Sequence, residues 1–170
     1  MSNRATPRWI TLRMGVALGL LLSAAAPVAH ADDKLIKMRA EYAEEENPVK
    51  KAKVLAKLGP REFTAIRDFV KGDEEQKALA TLEQYRDAVM STTQALMDAK
   101  IDAVRHSGGF RELQISLRGS INRLEDIILS LQQDMRVSFR AVRSDLETAQ
   151  NSLIDALFPV RPREASASSR

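Results

Sequence analysis

Apolar positions recur along this chain with the spacing of α-helices, and few residues interrupt them. Leu35, Met38 and Tyr42 fall on one face, which predicts a first helix from about Asp33 to Glu45. Asn47-Pro48 then restarts the chain, Asn as N-cap and Pro at the first helical position. In the second predicted helix Val49, Ala52, Leu55 and Leu58 point inward, while Lys50, Lys51, Lys53 and Lys57 point mostly outward. Gly59-Pro60 is expected to end it. A third helix carries Phe63, Ile66, Phe69 and Val70 and stops at Gly72. Asp73 is expected to cap the fourth, with Gln76 completing a capping box and Glu74 and Glu75 at its positive end. No breaker follows until Ser107-Gly108-Gly109. That predicts a helix of about 33 residues, roughly 50 Å long.

The longest pattern begins at Phe110. Apolar residues recur at Phe110, Leu113, Leu117, Ile121, Leu124, Ile128, Leu131, Met135, Phe139, Val142, Leu146, Ala149, Leu153 and Leu157. Thirteen steps of three or four cover 47 residues, with Gly119 the one glycine and no proline before Pro159. The mean step is close to the ~3.6 of a straight α-helix, not the 3.5 of a heptad coil. A nearly straight fifth helix of about 70 Å follows, with a bend near Gly119 or after Met135 as a way of easing the mismatch with a shorter partner. The expected architecture is all-α: a long antiparallel two-helix hairpin turned at Ser107–Gly109, with two or three short N-terminal helices packed at one end.

The two chain ends read differently. Arg4, Arg8 and Arg13 precede an apolar run from Met14 to Pro27, and Ala29-His30-Ala31 supplies an A-x-A end. This is the grammar of a secretory signal peptide over residues 1–31, with cleavage expected after Ala31. The apolar run is shorter than the ~20 residues a spanning helix needs, so no integral membrane segment is expected after cleavage. Residues 32–158 are the helical domain. Pro159 and Pro162 stop the last helix, and the Ser/Ala-rich stretch 159–170 is expected to be a disordered tail.

Cleavage changes the charge balance. The leader holds three of the 26 basic residues and none of the 23 acidic ones, leaving 23 of each from Asp32 onward. The basic pI belongs to the precursor, so composition gives no support to nucleic-acid binding. The 139 residues from Asp32 amount to one domain's worth and contain no cysteine, so helix packing has to supply the stability.

Two stretches carry local likenesses to known helical families. The stretch KLGPREFTAIRDFVKGDEEQKALATLEQY, Lys57 to Tyr85, resembles a tetratricopeptide helical hairpin: a short helix, a Gly-Asp turn, then Ala78-Leu79 opening the next helix. Aligned on Ala78, that family's first-helix glycine falls on Ile66, and no second copy follows. It is therefore read as general helix-turn-helix grammar. The long hairpin is also similar in outline to periplasmic stress chaperones, without their L-T-x-x-Q signature.

Candidate chemistry is sparse. His106 is the one histidine after the leader, too few soft ligands for a zinc site, and no cofactor or metal is expected. His106, Ser107 and the two glycines are read as a helix stop, not as a nucleophile and its base. Glu44–Glu46 and Asp73–Glu75 lack the alternating spacing of a calcium loop. No catalytic residue is assigned and no enzyme is expected.

The arginines are the more informative group. On one continuous helical wheel Arg111, Arg118, Arg136, Arg140 and Arg143 fall within about 60° of one another, beside the apolar seam. The ordinary reading is a flank whose stems cover the core and whose heads pair with Glu125 or Glu147. The sharper reading is a stripe for an anionic partner: an acidic protein face, lipid head groups or a cell-wall polymer. Ile115, Leu129 and Ile154 share its side and either extend it as an apolar strip or are core beneath the short helices. The expected function is an exported, non-enzymatic interaction or scaffold protein of the bacterial cell envelope, periplasmic or secreted. Its partner would be another protein or a second copy of the chain. A periplasmic chaperone-like or stress-responsive protein that holds unfolded clients, or a tetratricopeptide-like binding module, is the alternative.

Overall fold

A computed structural model describes residues 29–159. Its regular elements are five helices: α1 (Ala29–Glu44), α2 (Pro48–Lys71), α3 (Glu75–Asp98), α4 (Phe110–Ser130) and α5 (Gln133–Leu157). No strand occurs among the described residues, so the all-helical class read from the sequence is the observed one. The expected leader lies outside the described residues except for positions 29–31, which belong to α1. The expected tail lies outside them from residue 160 onward.

Local chemistry starts α2 where the sequence places it. The Asn47 side chain accepts from the backbone N–H groups of Val49 and Lys50 at 3.0 and 3.1 Å, and Pro48 occupies a position whose N–H would go unused. The apolar faces of α2 to α5 then close on one another. α2 packs against α3 and α4, α5 packs against the same two, and α1 lies on α2. The four longer helices therefore form a ring in the order α2, α3, α5, α4, with α3 and α4 at opposite corners.

Named contacts fix the directions. Gln76 meets Met135 and Arg86 meets Asp145, so α3 and α5 run parallel. Ser116 meets Ala56 while Gly109 abuts Val49, so α2 and α4 are parallel too. α2 and α3 are antiparallel across the turn at 72–74, as the Phe63–Tyr85 ring contact requires. The link 99–109 must then cross one end of the bundle on a diagonal. That end, the base, gathers the starts of α2 and α4 and the ends of α3 and α5. Gly109 permits the crossing. Its φ is +87°, and a Cβ there would stand 3.0 Å from the Val49 carbonyl oxygen.

Several expectations are corrected by this packing. Gly59-Pro60 does not end a helix; α2 runs through it, and the two expected short helices are one. Pro60 has no N–H for the Ala56 carbonyl, but the Ser116 hydroxyl of α4 donates to that oxygen at 2.8 Å. The missing bond within the helix is replaced by one between helices. Gly59 lets the neighbours come close enough, since a Cβ there would lie 2.8 Å from the Tyr85 hydroxyl.

α3 stops at Asp98, eight residues before His106. Lys100 adopts a left-handed φ of 52°, and Asp102 Oδ1 accepts from the N–H groups of Val104 and Arg105, which holds the chain in a turn. Asp73 is not the cap of this helix. It closes α2 at φ 58°, with the Glu74 N–H returning to the Phe69 carbonyl at 2.9 Å. Glu74 takes the N-cap position without a side-chain bond, and Gln76 donates to the Met135 sulfur.

The long fifth helix is two helices. The chain extends at Leu131 and Gln132, away from both Gly119 and the position after Met135. Arg143 lies 3.8 Å from Glu125, whereas 18 residues of unbroken helix would separate them by about 27 Å. Folding back lets Leu113, Leu117 and Leu124 of α4 share one core with Phe139, Leu146 and Leu153 of α5, all fully buried. A single long helix would have left part of its seam in water. The expected two-helix hairpin with short N-terminal helices is thus replaced by four helices of 21–25 residues, with α1 on their outside.

Candidate functional site

Most polar groups inside the bundle are tied to a neighbour; the Thr93 hydroxyl is buried without one among the described residues. Tyr85 reaches from α3 across the core to α4, where its hydroxyl meets Ser120 Oγ at 3.2 Å. Its ring sits edge-on to Phe63 at 5.5 Å. Burial pushes the Tyr85 hydroxyl up to about 12, with hydrogen bonds to Ser120 and Ser116 opposing the shift. The Glu62 carboxylate is buried beneath α1 and receives both Arg39 Nε and Nη2, at 2.7 and 2.6 Å. Tyr42 of α1 donates to the Ala88 carbonyl or shares a proton with Thr92, and burial raises its pKa as well. These bonds fasten helices together, and Arg39, Tyr42, Glu62 and Tyr85 line a small cleft where α1 meets α2 and α3. His106 is exposed, and no group of three or more His, Asp or Glu side chains among the described residues could hold a metal ion.

The five arginines do not form one stripe, because the helix on which they were aligned is broken. Arg136 is spent on the α4–α5 turn. Its Nε donates to the Leu131 carbonyl at 2.9 Å and its Nη2 to that of Leu129 at 3.2 Å, satisfying acceptors that the end of α4 leaves free. Arg143 pairs with Glu147 at 3.0 Å and lies near Glu125, as the ordinary reading of the flank holds. Arg118 and Arg140 stand exposed without a hydrogen-bond or ion-pair partner among the described residues. Leu129 is 72% exposed at the α4–α5 turn, far from the base, and Ile154 is half-buried.

Only Arg111 and Ile115 are brought to a common concavity. A cavity of about 540 Å³ opens at the base of the bundle, between the α3–α4 link, the first turns of α4 and the end of α5. Its apolar wall comes from Ala103, Val104, Ile115, Leu157 and Phe158, and its polar groups are Ser107, Arg111 and Gln114. Val104, Ile115 and Phe158 are 60%, 57% and 73% exposed, a notable cost for side chains of this size unless something covers them. The side chains of Arg111, Ser107 and Gln114 have no partner among the described residues.

Val104 and Phe158 were not foreseen as site residues. Val104 lies where the sequence reads as helix interior, and Phe158 falls one residue past Leu157, the last step of the apolar seam. Only the diagonal link and the fold-back of α5 bring them beside Ile115. Comparison with family models, with curated proteins and with solved structures gives no match.

Proposed function

We propose that this chain is an exported, non-enzymatic recognition module of the bacterial cell envelope, and that it binds its partner at the base of the bundle. The observation that carries the reading is the convergence of three exposed apolar side chains, Val104, Ile115 and Phe158, around the unpaired Arg111 in one concavity. Concave apolar sites with a few convergent polar groups are where folded domains bind ligands. Export is supported by the basic, apolar and A-x-A sequence of residues 1–31. The non-enzymatic part is supported by the use of the buried Tyr85, Ser120 and Glu62 side chains in fastening helices. Holding unfolded clients has less support, because the long apolar faces of α2 to α5 cover one another.

The test is in-cell photo-cross-linking of the exported protein with a photoreactive residue at position 115 or, as a reference, at exposed Arg67 on α2. A discrete adduct formed from position 115 and absent from position 67 is expected. Equal labelling from both positions would remove the base as the binding surface.

A further inference from the structure

We infer that the base cavity takes a free single-chain anionic amphiphile, an alkyl chain ending in one carboxylate; this rests on the proposed reading of the base as the binding end. The size fits, since ~540 Å³ lies within the roughly 300–1,000 Å³ of small-molecule sites. The lining sorts into two chemistries. Val104, Ile115, Leu157 and Phe158 present hydrocarbon from three different segments, and Arg111, Gln114 and Ser107 present unpartnered donors.

Charge selects the head group. Among the described residues Arg111 is the one charged member of the lining, and no acidic side chain is part of it. Its guanidinium matches a carboxylate through two parallel N–H···O bonds. One arginine balances one negative charge, which favours a monoanion over a dianionic phosphate. The neighbouring acids are already engaged: Glu112 accepts from the Gly109 N–H at 2.7 Å, and Asp102 holds Val104 and Arg105.

The wall selects the body. A peptide laid along it would carry backbone N–H and C=O groups against hydrocarbon, where each unpaired polar group is costly. An alkyl chain makes no such demand, and its burial covers the three exposed side chains at about 25 cal/mol per Å². A second copy of the chain is disfavoured by scale. A stable protein interface covers about 800 Å² on each partner, and the described residues of the base expose three large apolar side chains.

The experiment is calorimetric titration of the full-length chain with dodecanoate below its micelle concentration. Dodecyltrimethylammonium and phosphatidylglycerol vesicles serve as separate arms. Saturable binding of one dodecanoate per chain is expected, with none of the cationic amphiphile. Arg111→Gln should weaken binding about tenfold, the scale of losing a charge-assisted hydrogen bond. Arg118→Gln, on the same helix outside the cavity, should leave affinity unchanged, and helical circular dichroism checks that both variants fold. Absence of dodecanoate binding overturns the inference. So does equal weakening by the two substitutions, or binding to vesicles without binding of the free acid. A specific adduct at position 115 together with no dodecanoate binding would retain the base as the binding end and reject the ligand class. Failure of both would reject the two together.

Discussion

Tyr85 shows how much one side chain carries in this bundle. It joins opposite corners of the ring, and its hydroxyl lies in a buried polar spot made by Ser116 and Ser120 under Gly59. The neutral phenol is the form that fits there. Its pKa is raised from 10.0 to about 12 by burial, so the stability tied to this group is fully present below pH 10 and is lost as pH rises through about 12. The full loss is up to about 3 kcal/mol, since each pKa unit corresponds to roughly 1.4 kcal/mol. Denaturant unfolding measured between neutral and strongly alkaline pH should fall more steeply for the wild type than for Tyr85→Phe. Parallel curves would show that the phenol is not coupled to folding. In neutral solution the substitution should cost about 1 kcal/mol, the net value of a hydrogen bond.

Among the elements, α2 depends most on its neighbours. A proline within a helix normally breaks it, because its ring crowds the preceding turn and the carbonyl four residues back loses its donor. Here that carbonyl belongs to Ala56 and takes its proton from Ser116. A double-mutant cycle tests the link. Ser116→Ala should destabilise the protein by about 1–2 kcal/mol, the cost of an acceptor left unpaired. The same change should cost clearly less in a Pro60→Ala background, where the helix supplies its own N–H. Equal costs in both backgrounds would mean that Ser116 does not act through the proline. A similar repair occurs at the α4–α5 turn, where Arg136 donates to the Leu129 and Leu131 carbonyls. Two arginines expected on a binding stripe are therefore structural: Arg136 holds a turn, and Arg143 pairs with Glu147.

Across the whole molecule the attachment of α1 differs from the packing of the rest. α2 to α5 bury a continuous set of Leu, Ile, Val and Phe side chains, whereas Leu35 is the one buried apolar residue of α1 among the described side chains. α1 is held instead by Arg39 on Glu62, Tyr42 on Thr92 and Ala88, and the Lys51 ammonium over the Tyr42 ring at 4.8 Å. Local opening follows the apolar contact an element makes. Hydrogen exchange should therefore find the amides of residues 35–44 exchanging before those of α2 to α5. Protection of α1 equal to that of the central helices would show that the five helices unfold as one unit.

Much of this architecture was legible in the sequence, and the part that was not has a common cause. The helical class, the start of α2 at Asn47-Pro48 and nearly every buried position of α4 and α5 follow from local pattern, because helix periodicity and capping act over a few residues. Arg111 and Ile115 were legible as neighbours on one side of a helix for the same reason, but whether Ile115 is exposed or core was not. The helix ends were not. Pro60 should stop a helix and does not, because a serine 56 positions later in the chain supplies the missing bond. Ser130-Leu131-Gln132 contains no glycine or proline and yet breaks the longest periodic run, because an apolar seam of that length is buried only by folding back on itself. The base cavity depends on that fold-back and on the diagonal link, which bring Val104 and Phe158 beside Ile115. Local residue pattern sets which faces are apolar and where a helix is able to begin. Where helices end and which exposed residues meet is set by packing, because those outcomes depend on hydrogen bonds and burial supplied by distant parts of the chain.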